Sequence, residues 1–477
     1  MKKYLKILSL LLLSIFLTCT YAKSQVVTWQ KILNNNYGYL QKAHETPDKG
    51  FITVGSDYIG PLTRIYLHKF NFKGDSLWTQ IIGTSSNGNH GFWVENTFDN
   101  RFIISGDAES DCYILKTNYW GHIEWDNSFG GSYLDQANCI KQTADTGHII
   151  VARTVSFGSY DNILIVKTDG KGNIQWQRPY LANNNQIGKE IIVLENAYCV
   201  IGYAFNDIYF MKVDINGDTL FTKRYGSIYS EAGFSIQQTS DKGFIIGGIA
   251  HNSMNISNSI ILKTDSFGNV QWQRTYTAKF NELLFSVRNV QDRGYIFCGT
   301  TDSVEGDLER GFIRIIDFKG NVLKEKFYRA LPYYTEIRSV ENTNDGGFIL
   351  CGVTQRVSGG VPKMYIAKTD SVGEISPVGI SNYSFQIPAS IKLYQNYPNP
   401  FNPRTQIKFD INEKMNVLIS IFDISGKKIV ELINKSLFAG SYEISFKPED
   451  YSLASGIYIY KLITPYSAMS EKMLFLK

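Results

Sequence analysis

The chain has 477 residues, 43% of them hydrophobic and 14% aromatic, and carries a net charge of +4 from 48 basic and 44 acidic side chains. That is apolar material for a large core, and the length suggests about three domains. Acids and bases are well mixed and no Lys/Arg run occurs after the first residues, so nucleic acid is excluded as a partner.

The chain opens with a basic start at Lys2, Lys3 and Lys6. An apolar run follows over Ile7 to Leu17, broken only by Ser9 and Ser14, with small residues at Ala22 and Ser24. This pattern predicts a secretory signal peptide over residues 1–24, too short and wrongly flanked for a membrane span. Thr18 before Cys19 is a poor fit to a lipoprotein signal. No later stretch holds the roughly eighteen uninterrupted apolar residues that a spanning helix needs. Beyond the leader an odd, widely spaced set of cysteines remains, without CxxC or a vicinal pair, which argues against a disulfide framework. Cys199, Cys298 and Cys351 sit in apolar strand patterns and read as small core residues.

Residues 25–376 are built from a phrase repeated about every fifty residues, most clearly as "KTDGKGNIQWQRPY" from Lys167 and "KTDSFGNVQWQRTY" from Lys263. Its turn glycine recurs at Gly74, Gly121, Gly172, Gly217, Gly268, Gly320 and Gly373. A lysine stands five residues earlier except at Ile315. An aromatic stands four later at Trp78, Trp125, Trp176, Phe221 and Trp272, decaying to Lys324. Between these lie hairpin phrases such as "DKGFITVG" and "DKGFIIGG", opening at Asp48, Asp99, Asp145, Glu195, Asp241, Asp292 and Asp345. An acidic residue starting a tight turn, with glycine supplying a positive φ, is hairpin chemistry.

Each unit therefore reads as four strands, and no stretch shows sustained helical periodicity. Seven four-stranded units predict an all-β fold, a seven-bladed β-propeller in which the closed ring removes exposed sheet edges. The aromatic of each fourth strand is expected to wedge between blades. The seventh unit ends in "EISPVG" with no aromatic, while "VVTWQKI" near the N-terminus carries Trp29 in the motif position. The N-terminal strand is thus expected to complete the last blade and latch the ring. The phrase resembles the tryptophan-docking motif of quinoprotein-like propellers, with Asp169, Gly172 and Trp176 matching in type at a spacing one residue shorter. In that family the motif holds blades together.

Residues 377–390 read as a linker. From 391 to 477, short alternating strands such as "TQIKFDI", "NVLISIFDI" and "GIYIYKLI" predict a small immunoglobulin-like β-sandwich. The string "LYQNYPNPFNPRTQIKFDI" and the later "IFDISGKKI", "GSYEISF" and "KMLFLK" resemble the type A C-terminal sorting domain of the type IX secretion system of Bacteroidetes and related bacteria. The matching positions are Asn399, Pro400, Phe401, Asn402, Pro403, Gly426, Gly440, Gly456, Ile457, Tyr458 and Lys477. The resemblance implies export through both membranes, handling by the type IX machinery, removal of the tail by a sortase, and release or attachment at the cell surface.

Chemistry is sparse in the propeller. Six histidines fall at no metal-binding spacing and no nucleophile elbow occurs, so no catalytic residue, metal or cofactor is expected. His148 fills the aromatic slot of its hairpin. Asp214, Asn216 and Asp218 mimic part of a calcium loop but lack its downstream glutamate. Asp302, Glu305, Asp307 and Glu309 gather in one blade loop; paired carboxylates could serve a glycosidase or bind calcium, and a solvated loop is the plainer reading. Trp93 and Trp120 lie outside the repeated tryptophan position and are the candidate ligand-binding residues, with loops rich in Asn, Ser and Tyr around them. The reading is an exported, monomeric, non-catalytic binding or adhesion module for a glycan or surface protein; the alternative is a propeller enzyme acting on polysaccharide, a glycoside hydrolase or lyase.

Overall fold

The structure, a computed structural model, describes residues 27–59, 62–83, 88–277, 280–302, 310–328, 333–356, 361–375, 381–384, 388, 390–413, 415–437, 440–446, 448–451 and 453–476. Residues 1–24, read as a signal peptide, and Cys19 with them, lie outside the described residues. The chain divides into two compact units, one of Val27–Ser376 and one containing Pro377–Lys477.

The first unit is a seven-bladed β-propeller. Each blade is a four-stranded antiparallel meander, as in blade 5 with Glu231–Gln238, Phe244–His251, Ser257–Thr264 and Val270–Tyr276 in order. The first strands are Trp29–Glu45, Asn89–Asn96, Asp135–Gln142, Gln186–Val193, Glu231–Gln238, Glu282–Val290 and Tyr333–Asn342. Each touches the first strand of the next blade, and the seventh touches the first, so the seven enclose a central channel. The two middle strands of a blade are covered on both faces by neighbouring blades. That is why Asn162–Thr168, Ser257–Thr264 and Gly294–Thr301 are buried at every residue, their polar residues included, while an outer strand such as Thr219–Tyr225 alternates between exposed and half-buried.

Ring closure uses one strand twice. Trp29 to Ile32 pair with Lys363–Thr369 as the fourth strand of blade 7, and Gly38 to Glu45 pair with Phe51–Ile59 as the first strand of blade 1. Blades 7 and 1 thereby become one seven-stranded sheet. Trp29 falls opposite Lys368, the register of Trp78 opposite Lys69 and of Trp125 opposite Lys116.

The repeated phrase is the joint between blades. All seven turn glycines have φ between +77° and +84°, a conformation that only glycine enters without strain. They also leave room for the previous blade: a Cβ on Gly172 would stand 2.5 Å from the Trp125 ring, and one on Gly74 would stand 2.6 Å from Trp29. In the later blades an outer-strand tyrosine adds a hydrogen bond to the same turn, with Tyr225 donating to the Gly268 carbonyl at 2.6 Å and Tyr276 to that of Gly320 at 2.9 Å.

The repeated lysine clamps a blade internally. Lys69, Lys116, Lys167, Lys263 and Lys368 are buried, and each ammonium reaches the aspartate of its hairpin turn at 2.8–2.9 Å. In these turns the positive φ falls on Lys49, Asn100, Thr146, Lys242 and Gly346. This corrects the expectation that the glycine one residue later supplies it. Gly50, Gly147, Gly243 and Gly347 are required for space instead: a Cβ there would stand 2.1–2.3 Å from a third-strand carbonyl and 2.5–2.7 Å from the lysine ammonium.

The second unit is an immunoglobulin-like sandwich of two four-stranded sheets. One orders Ser381–Ser384, Gly440–Phe446, Thr405–Ile411 and Lys392–Leu393; the other orders Lys428–Leu437, Met415–Phe422, Gly456–Ile463 and Ala468–Phe475. Inward alternation buries Ile407, Phe409, Ile419, Ile421, Tyr460 and Phe475 between them. Ser381–Ser384 falls in the stretch read as linker, yet it pairs with Gly440–Phe446 as an edge strand. Backbone pairing to an existing edge needs no apolar alternation, so the polar sequence hid it.

Candidate binding site in the central channel

Every first strand carries a β-bulge at the same height. The register slips at Gln41, Phe92, Asn138, Lys189, Phe234, Phe285 and Arg338 in blades 1 to 7. A bulge leaves its residue unpaired and re-aims its side chain, and here all seven line one cavity of about 440 Å³ in the channel. Three of them are phenylalanines, half-buried, with Phe234 and Phe285 edge to face at 6.2 Å. Arg338 is held in place: its guanidinium lies 4.5 Å over the Tyr39 ring and donates from Nε and Nη2 to Glu336, each at 3.1 Å.

Beneath the bulges the channel is filled by charge. Arg288, 6% exposed, donates to Glu341 at 2.8 Å, to Glu190 at 3.0 Å, and to the Ser235 hydroxyl at 2.8 Å. Lys42 pairs with Glu341. Glu190 also accepts from the Ser235 hydroxyl at 2.7 Å and from the Ile236 amide at 3.0 Å. Lys141 pairs with Glu95 at 2.6 Å. Three acids and three bases from six blades thus neutralise one another out of water, where an unpaired charge would be costly. Burial would raise the Glu341 carboxyl, but Arg288 and Lys42 outweigh it and hold the group well below the usual carboxylate range. Burial lowers His44 beside them to about 3, so it is neutral.

Trp93 belongs to this network. It is 8% exposed, its indole N–H points to Glu95 at 3.3 Å, and the ammonium groups of Lys42 and Lys141 lie 4.0 and 4.8 Å from its ring. It lines the cavity as a wall whose ring already meets two cations. Trp120 is 61% exposed in the outer turn of blade 2, edge to face with Tyr119 at 5.1 Å, and does not line the cavity. The two tryptophans therefore do not share a site.

The other acidic candidates separate in the same way. Asp214 accepts from the amides of Asn216 and Asp218 at 2.9 and 2.8 Å, and Asp218 pairs with Arg178; this is an Asx turn between strands. Asp302 is described, and its carboxylate accepts from Asn281 at 3.2 Å, whereas Glu305, Asp307 and Glu309 lie outside the described residues. Among the described residues no group of three His, Cys, Asp or Glu side chains could hold a metal ion, and Cys112, Cys139, Cys199, Cys298 and Cys351 are free and buried. The channel charges escaped sequence reading, but they had a signal. In six of the seven blades they stand one or three residues after the bulge, at strand positions where a purely structural interior would be apolar; blade 5 carries Ser235 and Gln237 there.

In the second unit the motif residues fasten the opening turn to the last strand. Asn399 accepts from the Leu474 amide at 2.8 Å and donates to the Lys472 carbonyl at 3.2 Å. Phe401, 2% exposed, bonds its backbone to Leu474 and Leu476 and sets its ring 5.4 Å from Phe475. Pro400, Asn402 and Pro403 complete that turn. Gly426 takes φ +83° in the turn headed by Asp423, Gly440 opens a strand at φ +157°, and Gly456 starts the strand whose Tyr458 donates to the Ala454 carbonyl at 2.7 Å. Lys477 lies outside the described residues.

Comparison with known proteins agrees with both units. Residues 395–475 match the family of secretion system C-terminal sorting domains. No curated protein matches the chain. Among solved structures, virginiamycin B lyase from Staphylococcus aureus is similar at a TM-score of 0.50 and 10% identity, over 71% of this chain and 98% of that one. Sqt1 from Chaetomium thermophilum follows at 0.43 and 8%, over 72% and 98%, and the WD40 domain of SCAP from fission yeast at 0.39 and 8%, over 89% and 96%. At this identity the likeness to the lyase is one of fold. The sorting domain makes this a protein exported by the type IX system, either secreted or attached to the outer-membrane surface.

Proposed function

We propose that the propeller is a non-catalytic binding module for a glycan, delivered to the cell exterior by its tail and held there or released as a monomer once a sortase has removed the sorting domain. A signal peptide over residues 1–24 serves the first crossing in this reading. The observation that carries it is the composition of the channel cavity. Half-buried Phe92, Phe234 and Phe285 offer flat apolar faces, and the Gln41 amide and the amide oxygen of Asn138, whose nitrogen donates to the Gly188 carbonyl at 2.8 Å, stand beside them. Aromatic faces with a few placed polar groups suit a sugar, which is apolar on its ring faces and hydroxylated at its edge.

A polysaccharide-cleaving enzyme, a glycoside hydrolase or a lyase, is the second reading, and the carboxylates speak against the hydrolase. A glycosidase needs one carboxyl with its pKa raised near neutrality to act as general acid. Glu95, Glu190 and Glu341 are instead each paired with a cation, and Glu341 is pushed the opposite way. Trp93 contributes as a wall of the cavity rather than as a stacking platform, and Trp120 would contact only a ligand that reached the outer turns.

The test is binding of the full chain to immobilised polysaccharides, with reducing-end and unsaturated product release assayed on every binder. Binding without product, weakened about tenfold by Phe234→Ala or Phe285→Ala, is the expected result. Product release would replace this reading with the enzymatic one.

A further inference from the structure

The cations around the cavity are not equally occupied. Lys42 is answered by Glu341, Arg288 by Glu190 and Glu341, and Arg338 by Glu336. Lys189, the bulged residue of blade 4, has no carboxylate within ion-pair distance among the described residues; its ammonium lies 5.8 Å from the centre of the Tyr203 ring. Burial lowers its pKa, and the nearby Arg153 adds to that, with only Asp161 opposing. Asp161 is itself engaged by Arg153 at 2.7 Å. A half-buried ammonium facing a cavity without a counter-ion gains from any anion that enters, because the anion repays part of the desolvation already incurred. Lys42, Arg288 and Arg338 each meet a carboxylate, which leaves Lys189 as the cation among the described lining residues that an entering anion would answer.

Resting on the glycan-binding reading above, we propose that the channel cavity recognises an anionic sugar: a pyranose bearing a single negative charge, a carboxylate or a sulfate ester, whose charge meets Lys189 while its ring lies against the bulged phenylalanines. Arg338, stacked on Tyr39 of the adjoining blade, is fixed in orientation and supplies further guanidinium donors. Phe92, Phe234 and Phe285 then set the plane of the sugar, and Lys189 sets which sugar is accepted. A neutral sugar would leave the Lys189 ammonium as it is now, desolvated and unanswered, and this difference is the basis of discrimination.

The full chain and its Lys189→Met, Lys189→Arg and Phe234→Ala variants are titrated with polygalacturonate, carboxyl-reduced polygalacturonate, a sulfated galactan and its desulfated form. The melting temperature of each variant is checked first; Lys189→Met removes a desolvated charge and should melt no lower than the parent. Binding of an acidic polymer that falls at least tenfold on carboxyl reduction or desulfation, falls similarly in Lys189→Met, and survives within a few-fold in Lys189→Arg supports the assignment. The polymer that shows this pattern identifies carboxylate or sulfate as the source of the charge. Equal binding of charged and neutralised polymers, or unchanged acidic binding in Lys189→Met, overturns the assignment while Phe234→Ala sensitivity leaves the glycan-binding reading standing. Binding to none of the four polymers overturns both, and product release overturns the binding reading itself.

Discussion

Arg288 offers the sharpest test of how the channel is held. Its guanidinium makes four hydrogen bonds, to Glu341 at 2.8 Å, Glu190 at 3.0 Å, Ser235 at 2.8 Å and the Val287 carbonyl at 2.7 Å. Replacing it by methionine keeps most of the volume and removes the charge. Glu341 would retain Lys42, and Glu190 would retain the Ser235 hydroxyl and the Ile236 amide, but both carboxylates would lose their shared cation. Removing one partner of a buried pair costs about 3–5 kcal/mol. Unfolding entropy near 2.1 cal/mol/K per residue over the roughly 350 residues of Val27–Ser376 converts this to a melting temperature lower by about 4–7 °C. Scanning calorimetry at pH 7 measures it. Adding Glu190→Gln in the Arg288→Met background should recover part of the loss, although Glu190→Gln alone destabilises, and the cycle should return a coupling of about 1–3 kcal/mol. A shift below 1 °C for Arg288→Met, or strict additivity of the two changes, would refute the picture of a mutually neutralised network.

Other consequences can be measured on the same protein. Burial brings His148 down to about 4 from 6.5. Its folded pKa thus lies below its unfolded one, so the unfolded chain takes up more protons and stability falls as pH drops from about 6.5 to 4, by roughly 3 kcal/mol at most. His148→Phe, which restores the residue type of Phe51, Phe102 and Phe244, should remove this histidine's share of the slope over that window while His44 and His68, also lowered by burial, keep theirs, and an unchanged pH profile in urea titrations would contradict this. Gly172 and Gly346 share φ +82°, but only Gly172 faces another blade, with nothing within 4 Å of a Cβ on Gly346. Gly346→Ala should cost about 1–2 kcal/mol from the left-handed backbone, and Gly172→Ala should cost about 1–3 kcal/mol more from overpacking on Trp125; equal losses would remove the turn glycine from blade docking. Asn399→Ala should cost the sorting domain about 1 kcal/mol and lower hydrogen-exchange protection at the Leu474 amide without touching the propeller.

What could be read in advance follows from what repeats. The turn glycine and the outer tryptophan recur because each blade meets the next through the same joint, the buried lysine because blades close on the same internal clamp, and a geometric demand imposed around the ring leaves a visible period. In blade 6 two members change together while the turn glycine stays: Ile315 replaces the lysine and Lys324 the tryptophan, with Gly320 still at φ +82°. The channel leaves no such period. Lys42 and Glu341 meet across 299 residues of chain, and each partner is unlike the residue at the same position in neighbouring blades, so local spacing carries no trace of the pair. Trp93 shows the cost of reading it locally. Outside the repeated tryptophan position it looks like a free ring, but strand alternation turns it inward, and two lysines from the neighbouring blades on either side, themselves unremarkable in sequence, converge on it. In a ring of near-identical blades the wall is therefore written in the residues that recur, and the axis in those that do not. Subtracting the repeat from each first strand leaves Lys42, Trp93, Lys141, Lys189, Glu190, Arg288, Arg338 and Glu341 standing out, and that remainder is what lines and fills the channel.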